Sequence, residues 1–179
     1  MSVSLTRRLK RRTVNGGMPA LIHRVNRAQS GPTRVKVGLP AGSAPYPDGT
    51  SVILVGAVHE FGSDDGRIPE RSFIRSTTRA KGAELHRMAE TIARRVIHRG
   101  GTFEEGLRTL GAYLAAEIQD AIAEGVPPPN APSTIARKGS SKTLIDTGHL
   151  RQSITYQVER PTLAARARSL LSAIYSRIR

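Results

Sequence analysis

The sequence predicts an α+β fold in which a small antiparallel sheet packs against two long helices. Two short segments, residues 34–39 and 153–158, alternate apolar and polar side chains, which is the pattern of half-buried strands. Two longer segments, residues 73–98 and 102–124, repeat apolar side chains every three or four positions, which is the pattern of amphipathic helices. The helices can supply the second layer that a small sheet needs to bury its apolar face.

A fully apolar segment, residues 51–61, lies between the first strand and the long helices. Its Val and Ile content permits a strand. However, Thr50 and Ser51 can cap the start of a helix, and Gly62 can end one. We therefore expect a helix here.

The second long helix and the last strand have recognisable boundaries. Thr102, followed three residues later by Glu105, is the pattern of a capping box at the start of that helix. The proline-containing residues 126–143 are expected to form a loop after it. Asp146 is then expected to cap a one-turn helix at residues 149–151, just before the last strand.

Composition indicates a modest core, long loops and a strong excess of positive charge. Of the 179 residues, 38% are hydrophobic and 4% aromatic, while 17 are Gly and 11 are Pro. The 28 Lys and Arg residues outnumber the 14 Asp and Glu residues, so the net charge is +14. The length suits one domain with extensions, and the loops are expected to gain order partly against neighbouring molecules.

The positive charge is concentrated at the two ends of the chain. Residues 1–36 carry nine basic side chains and residues 161–179 carry four, and neither segment contains an acid. Such ends favour contact with a polyanion or with acidic protein surfaces. The candidate residues for this contact are Arg7, Arg8, Lys10, Arg11, Arg12, Arg24, Arg27, Arg166, Arg168, Arg177 and Arg179.

This distribution divides the chain into three parts. We expect residues 1–33 to form an extended basic arm with a short helix, residues 34–158 the α+β domain, and residues 159–179 a basic amphipathic helix. The sequence contains no cysteine, no apolar run long enough to span a bilayer and no apolar core of a signal peptide. We therefore expect no disulfide and no membrane association.

The strongest catalytic signal is the triplet Asp146-Thr147-Gly148, which matches the active-site triplet of aspartic proteases. In those enzymes two such aspartates meet and share a proton. Here only 31 residues follow Gly148, and none of them is the glycine that the rest of that fold requires. We therefore expect Asp146 and Gly148 to shape a turn, and we expect no enzymatic activity.

No other combination of residues indicates a cofactor or a metal. His59-Glu60 resembles the start of a zinc-protease helix, but Ser63 stands where the second histidine is required. The other histidines lack metal-ligand spacing, and the sequence has neither a phosphate-binding loop nor a nucleophile elbow. Since the basic ends lack interleaved aromatics, any contact with DNA is expected to involve phosphates and to be blind to sequence.

Six short motifs follow one another within residues 34–158. The first three are Val37-Gly38-Leu39-Pro40, Tyr46-Pro47-Asp48-Gly49-Thr50-Ser51-Val52 and His59-Glu60-Phe61-Gly62. The others are Ile68-Pro69-Glu70-Arg71-Ser72-Phe73-Ile74-Arg75, Asn130-Ala131-Pro132-Ser133-Thr134 and Leu144-Ile145-Asp146-Thr147-Gly148-His149-Leu150-Arg151-Gln152-Ser153-Ile154. In order and spacing they resemble the tail-completion, or minor tail-component, proteins of long-tailed bacteriophages.

The resemblance implies a structural virion protein that is assembled in the host cytoplasm and forms a homo-oligomeric, six-fold ring at the neck or the head-proximal end of the tail. Its implied partners are the tail terminator, connector or adaptor and tail tube proteins of the same virion, with non-specific contact to packaged DNA. The motif residues are then expected to serve assembly and architecture. They are His59, Glu60, Phe61, Gly62, Ile68, Pro69, Phe73, Arg75, Asp146, Thr147, Gly148 and Leu150.

Two alternatives stay open. A tail terminator or head–tail adaptor ring protein would require a similar fold and a similar charge. A sequence-independent DNA-binding protein is an alternative of a different class, and the basic ends favour it. One departure from the family pattern is Ser72, which stands where the family usually has Pro and is expected to loosen that loop slightly.

Overall fold

A computed structural model describes residues 17–29 and 31–160 of the chain. Within them the elements are α1 (Gly17–Gln29), β1 (Arg34–Gly38), α2 (Val52–Phe61), α3 (Phe73–Ala80), α4 (Gly82–Arg99), α5 (Glu104–Glu124), α6 (Pro132–Lys138), α7 (His149–Gln152) and β2 (Thr155–Glu159). The fold is α+β, as predicted. The N-terminal arm before α1 and the predicted C-terminal helix lie outside the described residues.

The two predicted strands pair with each other in an antiparallel sheet, with Val35 opposite Val158 and Val37 opposite Tyr156. This sheet packs against α5. Gly111 permits the close approach, because a Cβ atom at this position would lie only 2.7 Å from side-chain atoms of Val35 and Tyr156. A larger residue at position 111 would therefore push the sheet away from the helix.

The core lies where α5 meets α2, α3 and the segment that leads into β2. The predicted apolar stripe of α5 supplies Leu114, Ile118 and Ile122 to this core, although its first members, Leu107 and Leu110, are only partly buried. The other buried members are Val52, Phe73, Ala115, Leu144, Leu150 and Ile154. Elements distant in sequence thus share one core.

The single helix predicted over residues 73–98 is wrong, because the structure has two helices there, α3 and α4, separated at Lys81. Lys81 has φ −89° and ψ 4°, which is outside the helical region, and Gly82 follows it. The Lys81 ammonium group pairs with Glu117 of α5 at 2.7 Å. The apolar spacing continues across the break, so periodicity alone did not indicate it.

The predicted cap at Thr102 is also wrong. Helix α5 begins at Glu104, its N-cap position is occupied by Phe103, and no side chain caps it. The Thr102 side chain instead packs against the backbone at Gly31, where an added Cβ would lie 3.3 Å from it. A tertiary contact therefore takes the place of the local cap.

Asp146 does not cap the one-turn helix α7, contrary to prediction. The N-cap position is Gly148, whose φ of 81° lies in the left-handed region that glycine tolerates. The amide of His149 points to the Thr147 hydroxyl, 3.4 Å away, so that the turn places this hydroxyl rather than the carboxylate near the helix start.

The loop predicted over residues 126–143 contains a helix, α6. Pro132 occupies the first turn, where its missing N–H is not needed, and Gly139 ends the helix with φ 67°. The prolines of this segment predict a loop, whereas Pro132, at the start of α6, favours a helix there.

Candidate functional site

The motif residues of α2 and of the segment before α3 meet around the carboxylate of Glu60. We call residues 59–62 and 70–75 the Glu60 hub. The side chain of Glu60 is buried, with a relative exposure of 4% for the residue. One carboxylate oxygen accepts hydrogen bonds from the Ser72 hydroxyl (2.8 Å), the Arg75 amide (3.0 Å) and Arg75 Nε (2.9 Å). The other accepts one from the Ile74 amide (2.8 Å).

Glu60 therefore caps helix α3 from a different helix. The amides of Ile74 and Arg75 belong to the first turn of α3, where backbone donors have no partner within the helix. Ser72 holds the N-cap position but makes no cap bond of its own, and its hydroxyl donates to Glu60. The serine expected to loosen this loop thus forms a hydrogen bond that a proline could not make.

Helix α2 positions Glu60 because its inward face consists of residues four positions apart. Val52, Gly56 and Glu60 are buried, and the Ser51 hydroxyl accepts a hydrogen bond from the Leu54 amide as the predicted N-cap. Gly56 lets the helix approach Leu39, since an added Cβ would lie 2.3 Å from that side chain. Gly62 ends the helix with φ 81°, as predicted.

Arg75 connects the carboxylate to the rest of the hub. Its Nη2 donates hydrogen bonds to the Glu60 carbonyl at 2.7 Å and to the Glu70 carboxylate at 2.8 Å. Its guanidinium carbon lies 4.5 Å from the centroid of the Phe61 ring, which is cation–π distance. Arg75 therefore joins the end of α2 to the start of α3.

Arg71 extends the hub to a distant loop, and sequence reasoning did not select it as a site residue. Its side chain is buried and donates hydrogen bonds to the carbonyls of Pro128 (2.8 Å) and Pro129 (3.1 Å). Its amide donates to the His59 carbonyl at 2.7 Å. No pattern in the sequence pairs positions 57 residues apart, so only the structure identifies this contact.

The protonation of Glu60 is set by two opposing effects. Burial on its own would raise the pKa of this carboxyl group. Hydrogen bonds from the Ile74 and Arg75 amides, the Ser72 hydroxyl and the Arg75 guanidinium act in the opposite direction and bring the pKa below its usual value. The carboxylate is therefore ionised at neutral pH, as the donors around it require.

The remaining motif residues of this segment shape the chain between α2 and α3. A Cβ atom on Gly62 would lie 3.2 Å from the Glu70 amide and 3.3 Å from the Ile68 carbonyl, which indicates a close backbone crossing. Ile68 and Pro69 are exposed on this connection, whereas Phe73 is fully buried at the start of α3. Phe73 thus anchors the start of α3 in the core.

The second group of motif residues forms the corner before β2. Leu150 is buried in the core, and Leu144, also buried, adopts a left-handed φ of 60°, which is unfavourable for leucine. His149 Nε2 lies 2.8 Å from the Ala44 carbonyl, and its ring centroid is 4.8 Å from that of Tyr46. This corner therefore ties the proline-rich loop after β1 to α7.

The two groups of motif residues border one cleft of about 310 Å³ between α2, α6 and the corner. His59, Lys138, Asp146 and Thr147 are among its lining residues. His59 Nδ1 is buried and has no hydrogen-bond partner among the described residues. Burial, and then the charges of Arg71 and Lys138, lower the pKa of His59, so its ring is neutral at neutral pH.

Of the predicted basic contact residues, only Arg24 and Arg27 lie within the described part of the chain. Arg24 Nη1 donates a hydrogen bond to the His98 carbonyl at 2.8 Å, in the last turn of α4. It therefore joins α1 to α4, while Arg27 is exposed on α1. Those outside the described residues are Arg7, Arg8, Lys10, Arg11, Arg12, Arg166, Arg168, Arg177 and Arg179.

Comparisons with protein-family models, with curated proteins and with solved structures found no match to this chain. Within residues 17–29 and 31–160, no group of three or more His, Asp or Glu side chains is arranged to hold a metal ion. In the same residues no helix has both the length and the apolar character needed to cross a membrane. The geometry of the hub, the cleft and the exposed helix faces is therefore the basis for a functional proposal.

Proposed function

We propose that this protein is a structural component of a tailed-phage virion. It is a tail-completion or neck protein that forms a homo-oligomeric, six-fold ring at the head-proximal end of the tail and enables head–tail joining. The observation that carries the proposal is the Glu60 hub. Two of the motifs that resemble the tail-completion family, separated in sequence, meet there and hold α2, α3 and the loop at residues 127–129 in one arrangement.

The chemistry of the hub supports an architectural rather than a catalytic role. Both carboxylate oxygens of Glu60 are engaged by donors from the protein itself, and Arg71 and Arg75 are held by backbone carbonyls or carboxylates. Residues whose hydrogen-bonding capacity is used in this way fix the positions of the segments that carry them. A ring subunit needs such rigid positioning of its contact surfaces.

Two measurements on the full-length protein test the proposal. Native mass spectrometry is expected to give one closed oligomer, and imaging of intact virions is expected to locate its density between head and tail. A tail terminator or a head–tail adaptor would also form a ring, and the position of the density distinguishes these roles. A protein that stays monomeric at tens of micromolar concentration and is absent from virions contradicts the proposal.

A second candidate function, sequence-independent DNA binding, is favoured by the charge of α1 and of the end of α4. Residues 91–103 contain Arg94, Arg95 and Arg99 and no acid, and α1 packs against this helix. Duplex binding that weakens by about 10³–10⁵ between 50 and 200 mM salt would indicate contact with 6–10 phosphates. The structural proposal instead predicts weak binding by the isolated protein.

A further inference from the structure

Helix α2 carries apolar side chains on the side opposite its buried residues as well as towards the core. Leu54, Ala57, Val58 and Phe61 stand three, four and seven positions apart and so share one face, which we call the α2 ridge. Leu54 is 61% exposed and Phe61 64% exposed. A helix with apolar residues on all sides is normally covered on all sides, and clustered exposed apolar groups mark interaction surfaces. The ridge is therefore a candidate interaction surface.

A matching concave surface lies between α4 and α5, which we call the α4–α5 groove. It has a volume of about 400 Å³, and Met88, Ile92 and Gly106 contribute to its lining. Gly106 brings the helices close together, since an added Cβ would lie 2.3 Å from Ile92. This volume lies within the range of about 300–1,000 Å³ that is typical of binding pockets.

Both surfaces carry charged side chains that are not paired within the subunit. Neither arginine of the groove lies within ion-pair distance of a carboxylate among the described residues, and the charged residues that line the groove are Glu84, Arg87, Arg95 and Glu105. Three residues after Phe61, Asp64 is exposed and likewise has no ion-pair partner in this part of the chain. Asp64 beside the ridge can therefore pair with arginines beside the groove when the two surfaces meet.

We propose that the α2 ridge of one copy of this chain inserts into the α4–α5 groove of the next copy. The inference rests on the proposed ring and names its subunit contact. Because the two surfaces are formed by different helices, the contact is heterologous, and successive copies add head to tail until the ring closes. Leu54 and Phe61 are the anchors, and Asp64 with Arg87 and Arg95 sets the register.

Cysteine cross-linking tests this contact directly, because the chain has no natural cysteine. We would place Phe61→Cys on the ridge and either Thr91→Cys or Thr109→Cys in the groove of the full-length protein, all at sites that are exposed. Under mild oxidation the double variants are expected to give a ladder of covalent oligomers. Each single variant is expected to give no ladder. A dimer from Phe61→Cys alone would show that the ridge pairs with itself and would overturn the proposal.

Substitutions give a second readout that does not depend on disulfide geometry. Leu54→Asp is expected to raise the dissociation constant of the oligomer at least about tenfold, whereas Ile22→Asp, at a site on α1 that is 54% exposed against 61% for Leu54, leaves it unchanged. Asp64→Arg and Arg95→Asp should each weaken assembly, and their combination should restore it.

The outcomes separate the contact from the function. If native mass spectrometry finds the ring in Leu54→Asp and neither double cysteine variant gives a ladder, the contact is wrong and the ring stands. If the unmodified protein forms no oligomer and is absent from virions, the proposed function fails together with the contact.

Discussion

The Glu60 hub and the outer surface of α4 are both rich in charge, but they use it in different ways. In the hub, Glu60 is buried and its donors come from residues 12 to 15 positions away. On α4, Arg94 pairs with Glu90 one turn away, and both side chains are at least half exposed. Charge that is buried and paired between segments determines the fold, whereas solvated local charge contributes little to stability and stays available for a partner.

The largest expected effect is the loss of the Glu60 charge. Glu60→Gln leaves the Arg75 guanidinium and the α3 amides with a neutral, weaker acceptor, and we expect a loss of about 2–3 kcal/mol of unfolding free energy. This loss of unfolding free energy is smaller than the loss expected when a fully buried ion pair is broken, because Arg75 is half exposed. Chemical denaturation of the full-length protein measures it.

The matched control is Glu90→Gln, which makes the same chemical change in an exposed pair on α4. We expect a change of at most about 0.5 kcal/mol there. Equal losses of unfolding free energy in the two variants would contradict the proposed difference between the buried charge of the hub and the exposed charge of α4. A small loss in both would mean that Glu60 does not hold the start of α3.

A smaller effect is expected from His59, and it depends on pH. Burial, aided by Arg71 and Lys138, lowers the pKa of His59 in the folded protein, while in the unfolded chain its pKa is about 6.5. The unfolded chain thus binds the extra proton first, so the contribution to stability is present above about pH 6.5 and is lost as pH falls towards the folded pKa. Melting temperatures between pH 7.5 and pH 5 measure this loss.

The variant His59→Asn isolates this contribution from that of the other histidines. Its melting temperature should fall less than that of the unmodified protein over the same pH range, because the variant has no imidazole at this position to protonate. Parallel pH profiles for the two proteins would show that His59 is not the group responsible.

The parts of the fold that sequence predicted correctly are those with local causes. The alternation at residues 34–39 and 153–158 indicated the two strands, although β2 begins at Thr155, and the Ser51 cap and the Gly62 stop distinguished α2 from a strand. Each of these signals lies within a few residues of the feature that it predicts.

The errors and omissions have tertiary causes. The break at Lys81 coincides with its ion pair to Glu117 on α5, and Thr102 packs against Gly31 instead of capping α5. Glu60 was selected as a motif residue, but its role as a cap for α3 needed the structure, and so did the contact of Arg71 with residues 128–129. Such contacts join residues that are far apart in the chain. A single sequence contains no periodic pattern that relates these positions to each other.

The smallest expected effect concerns Arg95, which lines the α4–α5 groove and is exposed. Arg95→Gln should change the unfolding free energy by no more than about 0.5 kcal/mol, because no buried partner loses its hydrogen bond. The same substitution at buried Arg71 should cost about 1–3 kcal/mol, since it weakens the bonds to the Pro128 and Pro129 carbonyls. Chemical denaturation of both variants provides the comparison. A loss above about 1 kcal/mol for Arg95→Gln would mean that this arginine stabilises the subunit itself, which would remove it from the charges available to a second copy.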